Sequence, residues 1–255
     1  MGNDPKDASG WDESWITAVG SNIFAASDHD GYFPEPEKFT ADALTQSVKA
    51  PRDQFIPKLL QRRKTLNQHG GEHIKISADE WGLGPPWSVE GNFSVAHAIY
   101  AASFLGSCSR NIAAANLGFV NYFEPINEGA IFVGKFSSSS LTPVGDVLRL
   151  YDKHAGRALL NSSQNEDVDV LAVIKGNVVT LTVVNLNAEV DIGLQKLVLT
   201  PAPPAQSIEI VQLLPSGYGR ASVFSRKTYS AGIGSDGVFE FALPAFSVLQ
   251  ATVVL

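Results

Sequence analysis

A single cysteine, Cys108, stands among the 255 residues, so the chain can form no internal disulfide. It lies in a run of small and apolar residues, where a free thiol is ordinarily a small buried hydrophobe. Long apolar stretches are missing too. No run reaches the roughly eighteen residues that a membrane-spanning helix needs, so no membrane span is expected. Basic residues are in deficit, 19 against 26 acidic ones. Phosphate binding wants a basic stripe, so a nucleic-acid partner is not expected either. The first thirty residues lack a basic start followed by an apolar stretch, and no signal peptide is visible. The compartment is left open. The five histidines (29, 69, 73, 97, 154) are scattered and none makes a His-Glu-x-x-His spacing, so no metal site is expected. No phosphate-cradling glycine loop follows a strand, and no cofactor is expected.

What is present falls into two halves of different grammar. In the first, 22–27 and 73–78 are short strand candidates, each ending in a polar cluster: Asp28-His29-Asp30 and Asp79-Glu80-Trp81-Gly82. Between them, residues 52–67 place Phe55, Leu59 and Leu66 at near-helical spacing, closed by Gly70-Gly71. From Ser94 the pattern is helical again, with Val95, Ala98, Ile99, Ala102 and Leu105 on one face. Residues 119–123 form a third strand candidate. Strands alternating with helices, with polar residues at the strand C-termini, predict a parallel β/α arrangement. In a (β/α)8 barrel the chemistry sits at those ends.

The second half reads as all-β. Residues 168–174 and 178–184 flank Lys175-Gly176-Asn177, a hairpin turn. Further strands are expected at 189–199, 208–214, 238–243 and 248–255, with spacers rich in Pro, Gly and Ser. That pattern predicts an antiparallel sandwich.

The strongest chemical signal is Asp79-Glu80-Trp81. Retaining glycoside hydrolysis uses one carboxylate to attack the anomeric carbon, a second to protonate the leaving oxygen, and aromatic faces to hold the ring. A solvated acidic pair after a strand is the bland alternative. His29 between two aspartates could likewise be a solvated loop residue. Trp87, in Gly84-Pro85-Pro86-Trp87, could be a sugar platform or a packing anchor. Glu124 and Glu128 lie near the third strand end and are read as structural or solvated.

The order of short motifs resembles family 51 glycoside hydrolases, the α-L-arabinofuranosidases. After Asp79-Glu80-Trp81 come the helix 98–105, Ala115-Asn116-Leu117, Val120-Asn121 and Pro125-Ile126. Thr142-Pro143-Val144-Gly145 to Tyr151 resembles that family's exit from barrel to sandwich, and Leu243-Pro244-Ala245-Phe246-Ser247-Val248 its closing strand. Ser27-Asp28-His29 resembles a strand end bearing Ser-x-His. The resemblance implies a partial (β/α)8 (TIM-type) barrel segment over 1–155 and a C-terminal antiparallel β-sandwich, jelly-roll-like, over 156–255. It also implies Glu80 as nucleophile, Asp79 and Trp81 beside it, His29 facing the sugar, and an arabinofuranoside as the carbohydrate partner.

A whole barrel takes about 250 residues, whereas barrel grammar here ends near residue 150. The family's general acid/base, a glutamate following asparagine at an earlier strand end, has no match; Asn127-Glu128 comes after Glu80, in the wrong order. Three readings follow. One is a fragment completed by a partner chain. Another is a non-catalytic carbohydrate-binding or structural subunit, and a third is a retaining hydrolase of other sugar specificity. An open barrel edge further predicts a partner chain or a homo-oligomer to cover it.

Overall fold

The computed structural model describes residues 11–29, 34, 36, 38–84, 94–123, 132–135, 138–162, 164–198, 207–219, 222–234 and 237–255. The first half opens with helix α1 (Trp11–Val19), a 3-10 turn (Gly20–Asn22) and strand β1 (Ala25–Ser27). Helix α2 (Ala41–Ala50) begins at Thr40, whose hydroxyl accepts a hydrogen bond from the Ala43 N–H. It runs through a single π turn (Pro51–Phe55) into α3 (Ile56–Gln68). Sequence spacing predicts only the helix at 52–67 and misses α2. The wider turn lets the chain pass Pro51 without ending the helical path. Then come β2 (Lys75–Trp81), α4 (Val95–Ala115), β3 (Leu117–Tyr122), the antiparallel pair β4 (Phe132–Lys135) and β5 (Ser138–Leu141), and α5 (Pro143–Tyr151). Strands β1, β2 and β3 form a parallel sheet in that order.

The second half contains β6 (Ala158–Leu160), β7 (Val168–Lys175), β8 (Val178–Asn185), β9 (Ile192–Val198), β10 (Ser207–Pro215), β11 (Phe224–Gly232), β12 (Val238–Leu243) and β13 (Val248–Val254). Six of them make one antiparallel sheet in the order β11-β10-β13-β8-β7-β6, and β12 pairs with β9 in a second. The sandwich of antiparallel sheets is therefore as the sequence predicts. The β7–β8 turn is two residues long, with Gly176 at φ +60°, the left-handed conformation such turns require. Beside β4 and β5, two strands of this half escape the sequence reading. β6 is three residues long, and β11 (FSRKTYSAG) is mostly exposed and lacks a clear apolar alternation.

The six-stranded sheet is covered on both sides. Val168, Ala172, Leu181, Val183, Leu249 and Ala251 pack with Phe239, Phe241 and Leu243 of the smaller sheet. Leu171, Val173, Val184, Val211 and Val248 instead join a cluster with Ile99, Phe104, Val144 and Val147 of the helices. This accounts for the near-continuous burial of β8, since neither face meets water. The boundary expected at 155/156 falls just before β6, yet one core runs across it. Polar contacts cross it as well. Arg110 of α4 grips Asp169 of β7 through two hydrogen bonds of 2.6 and 3.0 Å, Lys49 lies 2.7 Å from Asp167, and Gln250 Nε2 donates to the Leu150 carbonyl at 2.8 Å. Gly106 lets α4 approach that pair, because a Cβ there would meet the Asp169 carboxylate at 3.1 Å.

His154, just after α5, carries a measurable consequence. Its Nε2 lies 2.8 Å from the Thr182 hydroxyl, and its Nδ1 is buried with no hydrogen-bond partner among the described residues. Burial, helped by the nearby Arg157 charge, lowers its pKa to about 4. The unfolded chain therefore binds this proton near pH 6.5 and the folded chain only near 4. Stability is full above pH 6.5 and is lost as pH falls toward 4, by roughly 2 to 3 kcal/mol at about 1.4 kcal/mol per pKa unit. Urea unfolding of wild type and His154→Gln across pH 7.5 to 4 should show a shallower acid slope in the variant.

Candidate active site

The C-terminal end of β2 is built from its neighbours. Arg63 of α3, 5% exposed, donates to the carbonyls of Ile74 and Gly71 and to the Asn67 side chain, fixing the entry to the strand. On the other side, Asn116 ends α4 in the left-handed conformation, φ 50°. Its amide donates to the Glu72 and Ile74 carbonyls, each at 3.2 Å, while its own carbonyl accepts from the Ile76 N–H. Asparagine tolerates that conformation better than most residues, which gives Ala115-Asn116-Leu117 a physical meaning: turn and register pin between α4 and β3.

Along β2, Ile76 and Ala78 are fully buried against the helices. The register then slips. Ala78 pairs with Val120, but Trp81 pairs with Tyr122, so Asp79 and Glu80 together oppose Asn121. This β-bulge breaks the alternation and re-aims the side chains it contains. Glu80 is exposed and makes no hydrogen bond or ion pair among the described residues, while Trp81 is 1% exposed. Trp81, expected beside the nucleophile, turns its ring inward. Its ring stacks on Phe104 (4.5 Å, 15°) and meets Tyr122 edge-on (4.9 Å), sealed in the core.

Asp79 is held from β1. It accepts a 2.5 Å hydrogen bond from the Ser27 hydroxyl and lies 3.2 Å from His29 Nε2. Those two contacts turn Ser27-Asp28-His29 from a loop into part of the same constellation as Glu80. Ser27 is in turn fixed by Arg62, which donates to its carbonyl at 2.9 Å and lies 3.6 Å from the buried Asp28 carboxylate. Asp28 N–H closes the pair of strand ends by donating to the Ser77 carbonyl. Arg62 and Asp28 carry no readable sequence signal for this role, since Arg62 belongs to a basic helical run that looks like a solvated face. Trp87, Glu124 and Glu128 lie outside the described residues. The arrangement thus offers one unengaged carboxylate, with a second carboxylate beside it already occupied by a hydroxyl and an imidazole. On the same sheet Phe24 (62% exposed) and Phe119 (47%) stand 6.1 Å apart, with the Lys75 ammonium 5.1 Å from the Phe24 ring.

No protein-family model matches the sequence, and no curated protein matches it either. Solved structures do. An α-L-arabinofuranosidase from Thermotoga maritima, in complex with arabinose, superposes with a TM-score of 0.78 over 100% of this chain and 57% of its own, at 17% identity. A family 51 arabinofuranosidase from Xanthomonas axonopodis pv. citri gives 0.72 over 98% and 56%, also at 17%. The fold is that of family 51 arabinofuranosidases. A family 44 xyloglucanase from Paenibacillus polymyxa is similar as well, at 0.68 and 13% identity, over 98% of this chain and 52% of its own. The chain spans little more than half the length of these family 51 structures, consistent with a C-terminal part of such a protein.

Proposed function

We propose that this chain is the C-terminal part of a retaining α-L-arabinofuranosidase, with a partial (β/α)8 barrel over 1–155, a sandwich over 156–255, and Glu80 as nucleophile. The observation that carries the reading is Glu80 itself, unengaged in a bulge at the C-terminal end of a parallel strand, where barrel enzymes keep their chemistry. Asp79, held through its Oδ1 by the Ser27 hydroxyl and His29, orients the strand end, and Glu80 rather than Asp79 is assigned the attack. His29, exposed beside it, is assigned to face the sugar. The carboxylic acid that protonates the departing oxygen comes from the remainder of the barrel, at about 5 Å from Glu80 in a retaining site. In the first step Glu80 attacks the anomeric carbon as that acid protonates the leaving group. In the second, water, deprotonated by the same residue, releases arabinose.

A partner is part of the proposal. A parallel sheet is stable with both faces covered, while this one exposes Phe24 and Phe119 and, among the described residues, leaves the outer edges of β1 and β3 unpaired. The occupant is the polypeptide that supplies the other strands. The family 44 likeness favours a second reading, a retaining hydrolase cutting a different glycan. The test is to combine this chain with a polypeptide carrying the earlier strands, ending in an Asn-Glu strand, and assay aryl α-L-arabinofuranosides beside aryl glucosides and xylosides. Arabinofuranoside release supports the proposal; release of glucose or xylose alone replaces it by the second reading. A stable complex with no hydrolysis would point to a binding or structural subunit instead.

A further inference from the structure

We infer that His97 is a positioning residue that holds the bulge carrying Glu80 in register. The inference rests on the reading of Glu80 just given for its consequence, but the geometry is independent of it.

His97 sits in the first turn of α4, 2% exposed, its own N–H donating to the Ser94 hydroxyl at 3.2 Å. Two donors, one just past β2 and one at the end of β3, converge on a single atom of its ring. The Leu83 backbone N–H, just past β2, reaches Nε2 at 3.1 Å, and the Tyr122 hydroxyl at the end of β3 reaches it at 3.2 Å. A backbone N–H can only donate, so Nε2 must be the unprotonated nitrogen, and the ring's proton sits on Nδ1. Burial pushes the Tyr122 phenol well above its ordinary range, so it stays a donor too. Val95 beside it donates to the Ser222 hydroxyl, which ties this turn of α4 to the second half of the chain.

The position of these contacts is what matters. The bulge has two ends. The lower is the Ala78/Val120 pair, set in the ladder; the upper is the Trp81/Tyr122 pair. Above that upper pair the Phe123 N–H donates to the Trp81 carbonyl at 3.2 Å. Parallel pairing without the bulge would place Asp79 opposite Asn121 and Glu80 opposite Tyr122. A slip of one residue reverses the face of every side chain beyond it, so it would drive Glu80 toward the core and Trp81 outward. His97 bonds the β2 side at Leu83 and the β3 side at Tyr122 at once, so slipping breaks both bonds.

The test uses the isolated chain and nitrogen-15 NMR. The His97 ring should show Nδ1 protonated and Nε2 bare; a proton on Nε2 overturns the inference without any variant. In His97→Leu, of similar volume but without an acceptor, Leu83 amide exchange should quicken about tenfold, as befits one lost hydrogen bond, and cross-strand contacts should place Glu80 opposite Tyr122. In His97→Gln, whose Oε1 can stand near the place of Nε2, both should return toward wild type. Unchanged exchange and Trp81/Tyr122 pairing in His97→Leu overturns the clamp. If that variant does not fold, Tyr122→Phe serves: the His97 Nε2 resonance should move, and a resonance that stays put counts against the clamp. In the completed enzyme, His97→Leu should lower kcat about 100-fold with little change in KM, the cost of misplacing a reacting group by about 1 Å. There the two ideas separate. Glu80→Gln without effect removes the nucleophile and leaves the clamp; Glu80→Gln fatal with His97→Leu fully active removes the clamp from catalysis and leaves the nucleophile.

Discussion

Replacing Glu80 with Gln in the completed enzyme should abolish hydrolysis of aryl arabinofuranosides, by at least about 10⁴-fold in kcat, the scale on which covalent nucleophiles are lost. The change is nearly isosteric and falls on an exposed side chain, so folding should be unaffected. That separation gives the experiment its force, because the loss cannot then be assigned to an unfolded strand. Glu80→Gly adds a positive signal. Azide can enter the vacated space, attack the anomeric carbon of an activated aryl glycoside and displace its phenolate, yielding a glycosyl azide of inverted configuration. Asp79→Asn makes the contrast: it weakens the hold of Ser27 and His29 on the strand end and should lower activity much less. Full activity in Glu80→Gln would end the proposed role.

The second large effect concerns stability. Arg110→Met should destabilise the chain by roughly 3 to 5 kcal/mol, read as a lowered urea midpoint at pH 7. Asp169 is 1% exposed, and burial raises its pKa against the opposing pull of Arg110. Without the guanidinium a carboxylate is left charged and unpaired between α4 and β7. It would then take up a proton more readily in the folded than in the unfolded state, so the deficit should shrink as pH falls toward the ordinary carboxylate range. The double variant Arg110→Met with Asp169→Leu should recover most of the loss, since a well-packed apolar pair needs no counter-charge. A deficit equal to the sum of the single variants would show that the two residues act separately.

Much of this architecture was readable from residue order, because apolar periodicity reports directly on which face is buried. Val95 to Leu105 gave a buried helix, and the valine-rich runs about Gly176-Asn177 gave the central hairpin. What could not be read depended on partners far away in sequence. β11 is polar because it edges a sheet, so it carries no apolar alternation to see. α2 was hidden by Pro51, whose effect is decided by a π turn. At the site, Asp79-Glu80 was visible as an acidic pair, but which carboxylate stays free depends on Ser27 and His29, some fifty positions earlier. Trp81 shows the limit in the other direction. Its type suggests a sugar platform, and only the slip opposite Asn121 puts it on the core side. Arg62 and His97 gave no warning at all, their roles being set by which backbone atoms pass nearby.

The central sheet, clad by helices on one side and by β9 and β12 on the other, ties the two halves into a single cooperative unit. Neither stretch could be borrowed as a stand-alone module: cutting at residue 155 would strip Leu171, Val173 and Val184 of their cover and leave α4 with half a bed. The junction where the secondary structure changes type is therefore no seam, because the packing runs straight through it.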